Sequence, residues 1–326
     1  MKLLSIVIPA YNASKYLSKC LDSFICEDYI DKLDVLIVDD GSSDNTVLIA
    51  KEYADRYPDV IRVISKENGN VGSVYNIAFK KCLGKYVREL DADDYLDSRG
   101  LKMLLNELEN CSADIVFNHY ETVNENGIVT SSVKCVKDSF NRYGVVLSID
   151  NSDDLILSMH SMVIRNDVLN RVNELYDEKC FYVDMEYVLF CLPYCNNYIV
   201  YDFSVYKYLL GTSEQSVNMD NFINNIDMHS KVLRHCLAYY NKYLNNNKLA
   251  YRQLFSMLCT HFRVCLSIHD RNESINELKK IINLLKKSYN GFYLSSKKEN
   301  RKISKFVYML DDSNYLLHGL RGVLLK

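Results

Sequence analysis

The first third of the chain alternates short, β-branched hydrophobic runs with stretches of helical periodicity, and each run stops at a polar motif. Runs at residues 3–9, 33–38, 60–65 and 85–90 read as parallel strands, because strands covered on both faces carry near-continuous apolar residues. The stretches between them read as helices. Ser14 is placed as the N-cap of the first, which reaches about Cys26. Ser43 or Asp44 is placed as the cap of the next, and 74–82 forms a third. Such alternation predicts a parallel sheet with helices on both faces and ligands at the carboxyl ends of its strands. The polar motifs of this region all fall at such ends.

Two of the motifs are acidic. Val38-Asp39-Asp40-Gly41-Ser42 follows the second run and Leu90-Asp91-Ala92-Asp93-Asp94 follows the fourth. Carboxylates packed this closely repel one another, so a fold keeps them together where a cation or a hydrogen-bonding ligand offsets the cost. Asp-x-Asp at a strand end suits a hard divalent cation, which takes one or two carboxylates and completes its shell with substrate phosphate oxygens. A third acidic stretch, Asp184-Met185-Glu186, stands at the start of a helical pattern whose apolar stripe is Val188, Leu189 and Leu192.

Further along, 101–110 reads as a helix, while 113–120, 127–136 and 198–208 read as strands, so the sheet becomes mixed. Residues 162–171 hold a short strand and helix. After Gly211 the pattern changes: 222–244, 251–269 and 275–289 each show helical periodicity. The expected organisation is a domain over 1–212, with halves 1–100 and 101–212, followed by a helical module over 213–326.

Composition excludes several classes. The formal charge of −3, from 39 basic and 42 acidic residues, lacks the basic excess of a nucleic-acid binder. Eleven cysteines without CxxC pairs fit a reducing cytoplasm and small core side chains better than zinc or disulfides. The first apolar run is too short for a signal peptide, and no stretch approaches the ~20 apolar residues of a membrane span. The expected location is cytoplasmic, at most peripheral on the inner face of the membrane.

Leu4-Ser5-Ile6-Val7-Ile8-Pro9-Ala10-Tyr11-Asn12, the Asp39–Asp44 motif, Asn68-Gly69-Asn70-Val71-Gly72-Ser73 and the Asp91–Asp94 cluster stand in a telling order and spacing. Together they resemble the family 2 glycosyltransferases of the GT-A fold. The resemblance is strong over residues 3–100 and traceable to about 218. It implies an α/β fold with a mixed, mainly parallel sheet. It implies a nucleotide-diphosphate-sugar donor, foremost a UDP-sugar, with Mn²⁺ or Mg²⁺ and inversion at the anomeric carbon. The implied acceptor is a saccharide or lipid-linked saccharide in cell-surface polysaccharide synthesis, a capsule for example.

Residue by residue, the resemblance puts Pro9, Ala10 and Tyr11 around the base and Asp40 on the uracil imide. Asn68 and Gly72 belong to a loop that lets the backbone approach a phosphate, with Lys66 and Asn76 assisting. Asp91 and Ala92 contact the donor. Asp93 is the first choice of metal ligand, with Asp94 the alternative. Asp184 is the general base, His160 stands near the acceptor, and Gln215 lies in a loop over the diphosphate. The pattern breaks twice. Val183 stands where Glu is common, which leaves Glu186 without a role, and Thr212, Ser213 and Glu214 replace the usual basic residue.

Two other readings stay open. One is a nucleotidyltransferase, which is expected to carry a Gly-rich basic signature where Ala10-Tyr11-Asn12-Ala13 stands. The other is a catalytically inactive homologue that serves as a binding subunit. Residues 297–326, basic and apolar together, read as a membrane-surface helix, a helix packed on the module, or a homodimer contact.

Overall fold

A computed structural model of the protein describes residues 2–211, 218–289 and 291–293. Gln215, the 212–214 substitution and the 297–326 segment lie outside the described residues.

Four strands, β1 (Leu4–Ala10), β2 (Leu33–Asp39), β3 (Ile61–Ser65) and β4 (Tyr86–Glu89), build one side of a ten-stranded sheet in the order β3-β2-β1-β4. All their pairings are parallel, with Ala10 beside Asp39 and Val7 beside Glu89. Helices α1 (Leu17–Asp22), α2 (Thr46–Arg56) and α3 (Asn70–Ala78) connect them. Every residue of β2, and all of β1 but Pro9, is buried, as the continuous apolar runs require. Successive connections lead from β1 to β2 and β3 on one side and to β4 on the other. The crevice outside the carboxyl ends of β1 and β4 is therefore the switch point where such sheets bind ligands.

The helix starts differ from expectation. Helix α1 begins after Tyr16 with no side-chain cap, while Ser14 N donates to Asp44 Oδ2 at 3.1 Å. Asn45, not Ser43 or Asp44, is the N-cap residue of α2. Helix α3 begins at Asn70 rather than Val74, so the Gly-rich stretch is its first turn.

The other side of the sheet is mixed. It contains β5 (Tyr95–Leu96), β6 (Ile115–Val123), β7 (Val129–Val133), β8 (Leu147–Ser148), β9 (Met162–Arg165) and β10 (Asn197–Leu209). The order runs on from β4 as β9-β6-β10-β5, with β9 antiparallel to both neighbours and β10 parallel to β6. Helix α4 (Ser98–Asn110) is capped by Asp97, which accepts from Gly100 N at 2.8 Å. Its buried Leu101, Leu104, Leu105 and Leu108 make one apolar stripe. Gly100 lies against β10 where that strand's pairing shifts; a Cβ there would sit 2.1 Å from Ser204 O. Two short helices, α5 (Asn166–Leu169) and α6 (Asp184–Phe190), complete this half.

The chain divides into two compact units, Met1–Ser213 and Glu214–Lys326. The second contains α7 (Met219–Asn224), α8 (Ile226–Tyr243), α9 (Lys248–Ser267) and α10 (Arg271–Ser288). The single helix expected over 222–244 is two, broken at Asn224-Asn225, residues whose side chains compete with helical backbone bonds. Among the described residues no helix is long and apolar enough to cross a membrane.

Candidate active site

At the end of β2, Asp40 is 3% exposed. Its Oδ2 accepts from Asn70 N at 2.8 Å, and its Oδ1 accepts from Gly69 N at 2.9 Å and from Lys66 Nζ at 2.5 Å. Lys66 also donates to Ser73 Oγ at 2.7 Å, and Asn68 Nδ2 donates to Asp40 O at 3.0 Å. Backbone N–H groups at a helix start have no intrahelical partner, and a carboxylate satisfies them while meeting the positive end of the helix dipole. Asp40 therefore organises the 66–70 loop. Lys66 is likewise taken up within the chain. Gly72, expected to let the backbone approach a phosphate, makes room for another part of the chain: a Cβ there would fall 2.0 Å from Asp177 O. Asn76, expected to assist the same loop, holds Tyr176 and Glu178 instead.

At the end of β1 the backbone turns sharply. Asn12 has φ +47°, and its Oδ1 accepts from Ser43 N at 2.8 Å, which ties the two strand-end loops together. Ala10 is buried, whereas Tyr11 is 55% exposed and presents an aromatic face at the switch point.

The cluster after β4 is built differently. Asp94 is 1% exposed, with Oδ2 accepting from Tyr206 Oη at 2.6 Å and Oδ1 from Leu209 N at 2.7 Å. Tyr206 Oη in turn accepts from Asp91 N at 3.2 Å, so β10 fixes both ends of the acidic loop. His160 sits in the turn before β9, its ring stacked on Tyr208 at 4.2 Å and edge-on to Tyr206 at 5.0 Å. Its Nδ1 is 2.8 Å from Ser158 Oγ, which leaves Nε2 for the carboxylates. Ligand atoms of Asp91, Asp94 and His160 lie within 4.8 Å of one another. Asp93, the first choice from sequence, is outside that converging group. His160, expected beside the acceptor, is inside it.

The electrostatics of the cluster are those of a charge trap. Burial, then the charges of Asp91 and Asp93, holds Asp94 well above the usual carboxylate range. Burial, then Asp93, raises Asp91, and burial raises Asp93. Glu89, fully buried beneath the loop, is pushed well up by burial and then by Asp91. Among the described residues its oxygens meet no N–H or hydroxyl donor; its hydrogen-bond partner is the Asp91 carboxyl, which shares a proton but brings no positive charge. His160 is lowered to about 3 by burial and then by the Arg88 guanidinium, so it is the neutral imidazole that ligates metals. Two hard carboxylates plus one imidazole make a donor set that fits a divalent cation, with the imidazole suiting Mn²⁺ better than the harder Mg²⁺.

Asp184 opens α6, and its charge reaches Asp91, Glu89 and Tyr208 across the sheet, so residues far apart in sequence share one crevice. Burial raises its own pKa. Tyr182, just before it, has φ +71°, a conformation bulky side chains rarely adopt outside functional sites. Sequence reasoning did not single out Glu89, Arg88, Tyr206 or Tyr208. A signal existed for the first two: adjacent charges inside a run read as a buried strand.

Comparison with known proteins agrees with this architecture. The family model described as glycosyl transferase family 2 matches residues 5–172, just over half of the chain. Chondroitin synthase of Escherichia coli is 37% identical over 131 residues, covering 40% of this chain and 19% of that protein. The chain thus spans less than a fifth of the length of the curated synthases it matches. Among solved structures, residues 1–349 of S. aureus TarS in complex with UDP-GlcNAc superpose with a TM-score of 0.60 at 20% identity, covering 86% of this chain and 81% of that one. The mannosyltransferase PcManGT of Pyrobaculum calidifontis, in complex with GDP-Man and Mn²⁺, gives 0.50 at 16% identity, covering 90% and 83%.

Proposed function

The chain belongs to glycosyl transferase family 2, and from that premise we propose that it transfers a sugar from a nucleotide-diphosphate sugar, foremost a UDP-sugar, to a saccharide or lipid-linked saccharide with inversion. The observation that carries this reading is the convergence of Asp91, Asp94, His160 and the charge of Asp184 at the switch point of the sheet. TarS with UDP-GlcNAc supports the donor class, and PcManGT with Mn²⁺ supports the cation. The synthase relatives support a growing polysaccharide as acceptor.

In this reading the nucleotide base lies against Pro9, Ala10 and Tyr11. The loop organised by Asp40 and Asn68 closes the pocket, with Ala92 beside the ribose. Asp184 removes the proton from the acceptor hydroxyl; its raised pKa makes it a better base than an ordinary carboxylate. The acceptor oxygen forms its bond to the anomeric carbon as the bond to the diphosphate oxygen breaks on the opposite face. Asp91, Asp94 and His160 would hold Mn²⁺ or Mg²⁺, which would supply Lewis-acid stabilisation of the charge that develops on the diphosphate, and Asp93 adds its negative charge to the same cluster.

Asp184→Asn tests the assignment. It keeps the shape of the side chain but cannot take the proton, so transfer falls by roughly 10²–10⁴-fold while UDP binding by calorimetry is unchanged. A variant that transfers normally would remove Asp184 from the reaction.

A further inference from the structure

Glu186 had no role in the sequence pattern, and the structure supplies an arrangement that demands one. It is fully buried on α6, one helical turn beyond Val183. A buried carboxylate is costly unless it is bonded, and Glu186 Oε2 accepts from Asp177 N at 2.8 Å. Asp177 belongs to a segment that is pinned from the other side by α3. Asn76 Oδ1 accepts from Tyr176 N at 2.9 Å, and Asn76 Nδ2 donates to Tyr176 O at 3.0 Å and to Glu178 Oε1 at 3.1 Å. Lys179 N donates to Gly69 O at 2.6 Å, and Asp177 O fills the space that a side chain at Gly72 would need.

Residues 176–179 are thus a strap between the helix that follows the donor loop and the helix that carries Asp184. From the last residue of the strap to Asp184 the chain holds two non-glycine residues in the left-handed region, Lys179 at φ +57° and Tyr182 at φ +71°. Such conformations persist only where the surroundings over-determine them. The bond from Asp177 to Glu186 anchors the strap at its α6 end.

We infer that Glu186 is the positioning residue for the Asp184 base, acting through the strap at 176–179. It does so from the next turn of the same helix at whose start the usual acidic partner is replaced by Val183. This inference rests on Asp184 being the base. Without the carboxylate, Asp177 N–H loses its acceptor, the strap loosens, and Asp184 shifts relative to the donor. A misplacement of ~1 Å costs on the order of 10²-fold in rate.

The experiment compares Glu186→Gln and Glu186→Leu in the full chain. The readouts are calorimetric binding of UDP with Mn²⁺, UDP release from a panel of UDP-GlcNAc, UDP-GalNAc and UDP-glucose with oligosaccharide acceptors, and amide exchange over 176–183. The Gln carbonyl still accepts the Asp177 N–H, so this variant exchanges and turns over like wild type. The Leu variant exchanges about tenfold faster over 176–183 and loses about 10²-fold in kcat, with UDP affinity within about threefold. Unchanged exchange, unchanged kcat, or a Gln variant as damaged as Leu would overturn the inference; so would joint loss of UDP binding and turnover, which marks a general structural role. If Glu186→Leu does not fold, Asn76→Leu loosens the same strap from α3 and must give the same exchange signature. Asp184→Asn runs alongside. Its normal turnover would overturn the base and the positioning together, whereas its inactivity beside a normal Glu186→Leu would overturn the positioning alone.

Discussion

Asp39-Asp40 after β2 and Asp91-Ala92-Asp93-Asp94 after β4 are the same kind of signal in the sequence, and the fold treats them in opposite ways. The Asp40 carboxylate is satisfied from inside by Gly69 N, Asn70 N and Lys66, while Asp39 Oδ1 accepts from Ser42 N at 3.1 Å. The second cluster has a tyrosine hydroxyl and one backbone N–H on Asp94, a buried Glu89 beneath it whose partner is another carboxyl, and Asp184 facing it. An acidic doublet whose positive partners are supplied by the chain is architecture. An acidic cluster whose partners are missing, and whose acids are all pushed up, is a place where a cation gains by binding.

Four measurements sharpen or break that contrast. The largest effect is expected from Asp91→Ala, which removes a converging ligand. Divalent-dependent turnover should fall by roughly 10³-fold, the order of a lost Lewis-acid contribution, and EDTA should inhibit the wild type. Turnover that survives both would return the second cluster to the architectural class.

The reverse holds for Asp40→Ala. Two backbone N–H groups and a largely buried ammonium lose their acceptor, so denaturant unfolding should show a loss of about 3 kcal/mol. Asp91→Ala should cost far less stability, since it relieves repulsion. If Asp91→Ala is the more destabilising of the two, the contrast is inverted.

Next is the response to metal alone. Mn²⁺ at about 100 times its Kd should stabilise the wild type by about 2.7 kcal/mol, because only the folded chain presents the site. Asp94→Asn should lose that response, and Asp40→Ala should keep it. Equal responses would show that the cation is not held where the carboxylates converge.

The smallest effect lies in the helical unit, where burial acts on histidines instead of carboxylates. His229 and His261 face each other with Nδ1 atoms 3.0 Å apart and stacked rings. Burial lowers His229 to about 4, and burial, then His229 and Arg234, lowers His261 to about 3. Both are neutral when folded and protonate near ~6.5 when unfolded, so the unfolded state binds more protons between those values. Stability is full above about pH 6.5 and falls as pH drops toward 4. A His261→Phe variant should flatten the pH dependence of Tm in that window. An unchanged profile would mean that the pair does not titrate as its burial requires.

How much was legible varies by region for physical reasons. The parallel half was readable because a strand buried on both faces must be an apolar run, and its motifs must then fall at strand ends. Helix starts were misplaced where a local cap competed with a remote one. Asp44 serves the Ser14 amide as well as its own turn, and α3 begins early because Asp40, thirty positions upstream of Asn70, supplies its acceptors. Helices 222–244 were joined because periodicity continues through Asn224-Asn225 while the backbone does not.

Residue types and spacing along the chain determined the fold class, the strand-end location of the site and the family, since these depend on local periodicity and short motifs. Which carboxylates are starved of partners, that His160 joins Asp91 and Asp94, and that Glu186 holds the strap leading to Asp184 were decided by tertiary structure alone. Those facts depend on which donors arrive from strands and helices far away in sequence, and on a desolvation that exists only once the sheet is assembled.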